Sequence, residues 1–171
     1  MKFFLYIIML CLSFTVLGQS KKDLSPLLFN EPIDSFIGNT EKVHKGLMFD
    51  EPDMVSYGVD ENKQFVFTHY LPEHIEFLSY RGIYSGFAFR ILDYKNQEEI
   101  RSFLHEKYNL KIVDRSAIST VYKYTGDSFE IELSAITENQ FTKGMKGYLS
   151  VKTITFIQNY NVLDRKYSGK R

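Results

Sequence analysis

The chain has 171 residues with 21 basic and 21 acidic side chains, and its formal net charge is zero. This balance argues against nucleic acid as a partner, because phosphate binding needs a clustered basic surface. The single cysteine, Cys11, lies close to the N-terminus, so the rest of the chain has no disulfide, cysteine nucleophile or thiolate metal site.

Residues 1–18 predict a secretory signal peptide. One basic residue precedes an apolar run, and small Gly18 suits signal peptidase. The run is shorter than the roughly 18 to 20 apolar residues of a spanning helix, so we expect no stable membrane span after cleavage. Bulky Leu10 occupies the position before Cys11 that a lipoprotein signal keeps small, which disfavours lipidation. We expect an exported protein beginning near Gln19, in the periplasm of a Gram-negative bacterium or outside the cell.

A short helix is predicted soon after the start of the mature chain. Asn30 is a capping-type residue, Pro32 suits a first turn, and Gly38 follows the last apolar position. The apolar stripe of this helix consists of Ile33, Phe36 and Ile37.

Residues 65–70 and 75–80 are interpreted as the two arms of a β-hairpin, following weaker strand signals at 47–49 and 55–59. If the tip of the hairpin is Pro72-Glu73, apolar side chains of the two arms lie opposite one another. Opposed residues project from the same face, which supports this register.

The same register brings His69, His74 and Glu76 together near the end of the hairpin. Two imidazoles and a carboxylate can bind zinc and leave one position for water, as a metal-assisted hydrolase requires. Alternatively, Glu76 could orient His69 as a general base. No metal-binding motif surrounds these residues, and proline at the tip disfavours the primed turns of short hairpins. We therefore expect a structural hairpin end and no cofactor.

The clearest helix is predicted over residues 97–108. Asn96 is the candidate N-cap, Glu99 takes the capping-box position, and Asn109 can close the helix in the left-handed conformation. Apolar side chains recur at helical spacing at Ile100, Phe103, Leu104 and Tyr108.

Alternation of apolar and polar residues predicts strands at 83–92, 121–124, 128–135 and 148–157. Clean alternation is typical of antiparallel strands with one solvated face. The element order indicates an α+β fold, a curved antiparallel sheet of about six to seven strands with the long helix on one face and a short N-terminal helix.

About 150 residues remain after cleavage, and residues 19–158 are expected to form a single domain. Residues 159–171 are interpreted as a polar, flexible tail.

Aromatic residues are unusually abundant, with 15 Phe and 12 Tyr in the whole chain. Tyr80, Tyr84, Tyr122 and Tyr124 are the candidate binding residues, on an exposed tyrosine-rich face of the sheet. The alternative interpretations are that aromatics fill the core, or that they line a cavity between sheet and helix.

The favoured hypothesis is an exported, non-enzymatic module that binds another protein. A protein that binds a small apolar ligand or lipid is the alternative, and the metal-assisted hydrolase is less favoured. No glycine-rich phosphate loop or nucleophile elbow indicates an enzyme.

Overall fold

The computed structural model describes residues 21–168. The predicted signal peptide and its cleavage point lie outside these residues. The described strands are β1 (Lys22–Asp23), β2 (Val43–Met48), β3 (Glu51–Val59), β4 (Phe65–Val66), β5 (Ile75–Tyr80), β6 (Ile83–Ile91), β7 (Lys111–Arg115), β8 (Ser119–Thr125), β9 (Phe129–Ile136) and β10 (Gly147–Thr153). The helices are α1 (Ile33–Ile37), α2 (Tyr94–Tyr108), α3 (Glu138–Thr142) and α4 (Ile154–Ser168).

Eight of these strands form one antiparallel sheet in the order β2-β3-β5-β6-β10-β9-β8-β7. The predicted α+β class is confirmed, although the sheet has eight strands where six or seven were expected. Strands β1 and β4 form a separate parallel pair of two residues each.

The sheet buries side chains on both faces. Phe77 belongs to the main aromatic and aliphatic core, whereas its neighbour Leu78 belongs to a second, smaller cluster with Met54 and Phe156. Successive strand residues project from opposite faces, so the two clusters lie on opposite sides of the sheet.

The main core lies between the sheet and the helices α1 and α2, and aromatic rings fill much of it. The Phe36 ring of α1 stacks on Tyr84 with centroids 3.8 Å apart, and Phe65 meets Phe77 edge-on at 4.6 Å. Helix α1 ends at Gly38, whose φ of 58° is the left-handed value that glycine allows, as its position after the apolar stripe predicts.

Helix α2 confirms the predicted helix but begins earlier. Its N-cap is Asp93, whose carboxylate accepts a hydrogen bond from the Asn96 backbone N–H at 2.9 Å, so the prediction of Asn96 as the cap is wrong. Asn109 closes the helix in the left-handed conformation, as predicted. Ile100 and Leu104 are fully buried, which docks the helix on the sheet.

The C-terminal part of the chain corrects the sequence interpretation. Strand β10 ends at Thr153, and a helix of 15 residues, α4, occupies the place of the predicted strand end and most of the predicted polar tail. The Thr153 hydroxyl accepts a hydrogen bond from the Phe156 N–H at 3.3 Å, which caps the first turn. Phe156 then anchors α4 on the face of the sheet opposite to α2.

Candidate functional site

The predicted hairpin at 65–80 is not formed. In the predicted first arm only Phe65–Val66 is a strand, and it pairs in parallel with β1. Phe67 and Tyr70 then close a tight turn through reciprocal backbone hydrogen bonds of 2.9 and 3.0 Å, and β5 pairs instead with β3 and β6. The predicted register is therefore wrong.

As a consequence, His69, His74 and Glu76 do not converge. The His69 Nε2 lies 2.5 Å from the Glu99 carboxylate of α2, whereas the His74 Nδ1 lies 2.6 Å from Asp60. Within residues 21–168, no three His, Cys, Asp or Glu side chains are arranged to hold a metal ion. The geometry offers no support for the zinc interpretation.

Asp60 instead joins two imidazoles, since the His44 Nε2 lies 3.1 Å from its other carboxylate oxygen. The hydrogen bond from His74 is the main reason why the pKa of Asp60 is lowered. The His74 ring lies over Gly58, where an added Cβ would come 3.4 Å from the His74 Cε1. The sequence alone did not reveal this contact, because it depends on the pairing of β3 with β5.

The four candidate tyrosines do not share one exposed face. Tyr84 is buried in the main core, so the prediction that it is exposed is wrong. Tyr122 and Tyr124 are half-buried beside the main core, and the Tyr124 ring lies 5.4 Å from that of Tyr108 in α2. Tyr80 lies on the opposite face, where its hydroxyl donates to the Asn159 Oδ1 at 3.1 Å.

Tyr80 also lines an open groove at one end of the sheet, which we call the end groove. Its volume is about 750 Å³, larger than three other depressions, which have volumes of about 60 to 350 Å³. The groove is lined by residues 27–30, by residues at the β5–β6 turn, by the β8–β9 turn and by the start of α4. Its lining residues are Leu27, Leu28, Phe29, Asn30, Tyr80, Arg81, Ile83, Ser85, Asp127, Ser128, Phe129, Thr153, Ile154 and Thr155.

The β5–β6 turn fixes one wall of the end groove. Arg81 and Gly82 both have positive φ, 52° and 75°, as a primed two-residue hairpin turn requires. The Ser85 hydroxyl accepts from the Tyr80 N–H at 3.2 Å and donates to the Ile83 carbonyl at 2.8 Å, which locks the bulge behind the turn. The Ile83 side chain is left 41% exposed at the rim.

The segment Leu28–Asn30, which follows a turn where Leu27 has a φ of 54°, also lines the end groove. Phe29 is buried against Tyr84 and Phe129, with ring centroids 5.2 and 6.0 Å away. Leu28 points outward and is 71% exposed. No backbone N–H or C=O of residues 28–30 bonds to another residue in the part of the chain that the structure describes.

Two charged residues line the end groove, and they differ in their partners. The Arg81 Nε donates to the Asp53 carboxylate at 3.0 Å, and this hydrogen bond is the main cause of a raised pKa for Arg81. Asp127, in the β8–β9 turn, is exposed and forms no ion pair with any residue between 21 and 168.

A second depression, of about 300 Å³, is polar and lies between residues 39–42 and 59–64. Lys42 and Glu61 form an ion pair there, and the hydrogen bond from Lys42 lowers the pKa of Glu61. Buried Asn62 donates to two backbone carbonyls at 2.7 and 2.8 Å. Because these groups satisfy one another, this depression is explained as loop structure.

The two outer strands of the sheet are poorly suited to pair with another chain. Strand β7 is bulged at Val113, and all five of its residues, Lys111–Arg115, are exposed and include three charges. Strand β2 has a register shift after Leu47 and carries Lys45 beside the Tyr57 ring. Bulges and charged residues are the usual protection of a sheet edge against pairing.

Comparisons of the chain with protein-family models, curated proteins and solved structures find no match. Among the described helices, none combines the length and the apolar character needed to cross a bilayer.

Proposed function

We propose that this chain is an exported, non-enzymatic module that binds an extended segment of another protein in the end groove. One observation carries the proposal: Leu28, 71% exposed, belongs to a segment whose backbone hydrogen-bonding groups have no partner among the described residues. An extended peptide can pair with such a segment and place alternate side chains in adjoining pockets.

The apolar lining of the groove supplies the second support. Leu28 and Ile83 are large, exposed side chains in its lining, and half-buried Phe129, which packs against the main core, also lines it. Covering apolar surface releases roughly 25 cal/mol per Å², so burying a leucine side chain contributes about 1.5–3 kcal/mol. A partner segment bound in the groove would cover part of this apolar lining.

The alternative of an apolar-ligand or lipid carrier needs an enclosed cavity. Between the sheet and α1, this space is occupied by the rings of Phe36, Phe65, Phe77 and Tyr84. The end groove is open to solvent, which suits a chain segment better than an enclosed lipid.

A selection from a randomised library of phage-displayed peptides tests the proposal on the purified chain beginning at Gln19. The wild-type protein should enrich peptides that carry a bulky apolar residue. The Leu28→Glu variant should lose this enrichment by roughly tenfold or more, because a charge replaces about 2 kcal/mol of apolar contact.

The matched control is Val162→Glu, which places the same charge on α4 at a side chain that is 56% exposed. It should enrich the same peptides as the wild type. If the wild type enriches nothing over a blank surface, or if Leu28→Glu performs as well as Val162→Glu, the proposed function is wrong.

A further inference from the structure

The two charged residues that line the end groove differ in whether they already have a partner of opposite charge. Arg81 is held by Asp53, with their side chains 3.0 Å apart, and its guanidinium also lies 5.1 Å from the centre of the Tyr80 ring. Asp127, in the β8–β9 turn, also lines the groove, and its carboxylate has no ion-pair partner within residues 21–168. A ligand in the groove therefore meets one unpaired charge, and that charge is negative.

The position of Asp127 is fixed by the turn that carries it. The Gly126 N–H donates to the Phe129 carbonyl at 3.0 Å, and the Ile154 N–H of α4 donates to the Ser128 carbonyl at 3.0 Å. The turn is thus tied both to its own strand and to the start of α4. Asp127 and Phe129 are two residues apart in the chain and both line the groove, so a bound segment can meet a carboxylate and an apolar ring there.

Hydroxyl groups complete the polar side of the groove. Ser128 and Thr155 line it, and their hydroxyl oxygens form no hydrogen bond to the residues that the structure describes. Such groups can accept hydrogen bonds from an ammonium or guanidinium group as well as donate to a peptide carbonyl. They add to the preference for a cationic side chain at this wall.

We infer that the bound segment carries a lysine or arginine close in sequence to a bulky apolar residue, the cation meeting Asp127 and the apolar side chain meeting Leu28 and Phe129. This inference rests on the proposed function and specifies its partner as a basic, amphipathic protein segment. Acidic segments are disfavoured, because Asp53 already occupies the one cation of the groove.

The test repeats the peptide selection on Asp127→Lys beside the wild type. Peptides selected by the wild type should be enriched in Lys and Arg, and those selected by Asp127→Lys should be enriched in Asp and Glu. Bulky apolar residues should be enriched by both proteins. An exposed charge pair changes affinity by about two- to fivefold, so the inversion should also weaken with added salt.

The outcomes separate the two claims. Apolar enrichment by both proteins without any difference in charge would overturn this inference and leave the proposed function standing. Absence of enrichment by the wild type would overturn both. Circular dichroism of Asp127→Lys should match the wild type, since the side chain is exposed and unpaired within the described chain. A lysine-to-glutamate exchange in one selected peptide tests the same charge contact with the wild-type protein.

Discussion

Replacing Gln97 by methionine should destabilise the protein strongly, because Gln97 is the polar link between α2 and the sheet. Its side chain is only 1% exposed. The amide nitrogen donates to the Ile136 carbonyl at 2.9 Å, and the amide oxygen accepts from the Ile136 N–H at 2.9 Å. Methionine fills a similar volume but leaves both backbone groups of Ile136 without these partners.

The magnitude follows from those two groups. A buried polar group left unsatisfied costs roughly 1–3 kcal/mol, and the apolar methionine offsets part of the total. A net loss of about 3 kcal/mol is expected, which is a large share of the 5–15 kcal/mol that is typical of a folded domain. For about 150 residues this loss corresponds to a decrease in melting temperature of roughly 6–12 °C.

Urea unfolding followed by circular dichroism measures the change, with the m-value expected to stay constant. Lys95→Met on the same helix is the control, because the Lys95 side chain is 85% exposed and its contact with Glu99 is 3.9 Å long. The control should stay within about 0.5 kcal/mol of the parent. If Gln97→Met also stays within that range, the two hydrogen bonds to Ile136 do not hold α2 on the sheet.

Two further predictions concern pH and export. Because the His74 hydrogen bond lowers the Asp60 pKa, Asp60 stabilises the fold above the ordinary aspartate pKa of 3.8, and this contribution is lost as pH falls through the lower folded pKa. Asp60→Asn should therefore lower the melting temperature near neutral pH, and its difference from the parent should shrink in strong acid. Parallel melting curves for the parent and Asp60→Asn at every pH would contradict this. The intact mass of the exported protein should correspond to a chain beginning at or near Gln19 without acyl chains, and a mass that retains residues 1–18 would refute the export prediction.

The sequence predicted those elements whose pattern is local. Residues 128–135 became β9 with a shift of one residue, because alternation of apolar and polar side chains determines which face is buried. The core of α2 was predicted from its apolar spacing and from Asn109. The predicted start of α2 was three residues too late. Asp93 and Asn96 are both capping-type residues, and Asp93 is the N-cap because its carboxylate accepts hydrogen bonds from Asn96.

The errors concern features that depend on distant parts of the chain. The predicted hairpin at 65–80 has matching apolar pairs across its arms. In the structure β5 pairs instead with β3 and β6, and this long-range pairing determines its neighbours. Helix α4 was missed because Ile154 extends the β-rich run of β10, although Phe156, Tyr160 and Leu163 already recur at helical spacing.

The end groove was the least predictable feature. It is formed by four separate turns and segments that meet only when the sheet is assembled. Of the four candidate tyrosines, only Tyr80 lies in its wall. The exposure of Leu28 follows from the positive φ of Leu27. The sequence does not indicate this conformation, because leucine rarely adopts it.

The position of β10 in the sheet has a consequence for how the chain assembles. Strands β2, β3, β5 and β6 form one run of neighbours, and β7, β8 and β9 form another, but only β10 hydrogen-bonds to both β6 and β9. Strand β10, which follows the other described strands in the chain, thus joins two half-sheets whose facing edges are unpaired without it. Because β6 ends some 55 residues before β10 begins, joining the halves requires a non-local pairing, and we expect this pairing to slow folding. We expect a chain without β10 to leave the β6 and β9 edges unpaired, and unpaired strand edges make a partly folded chain prone to aggregate.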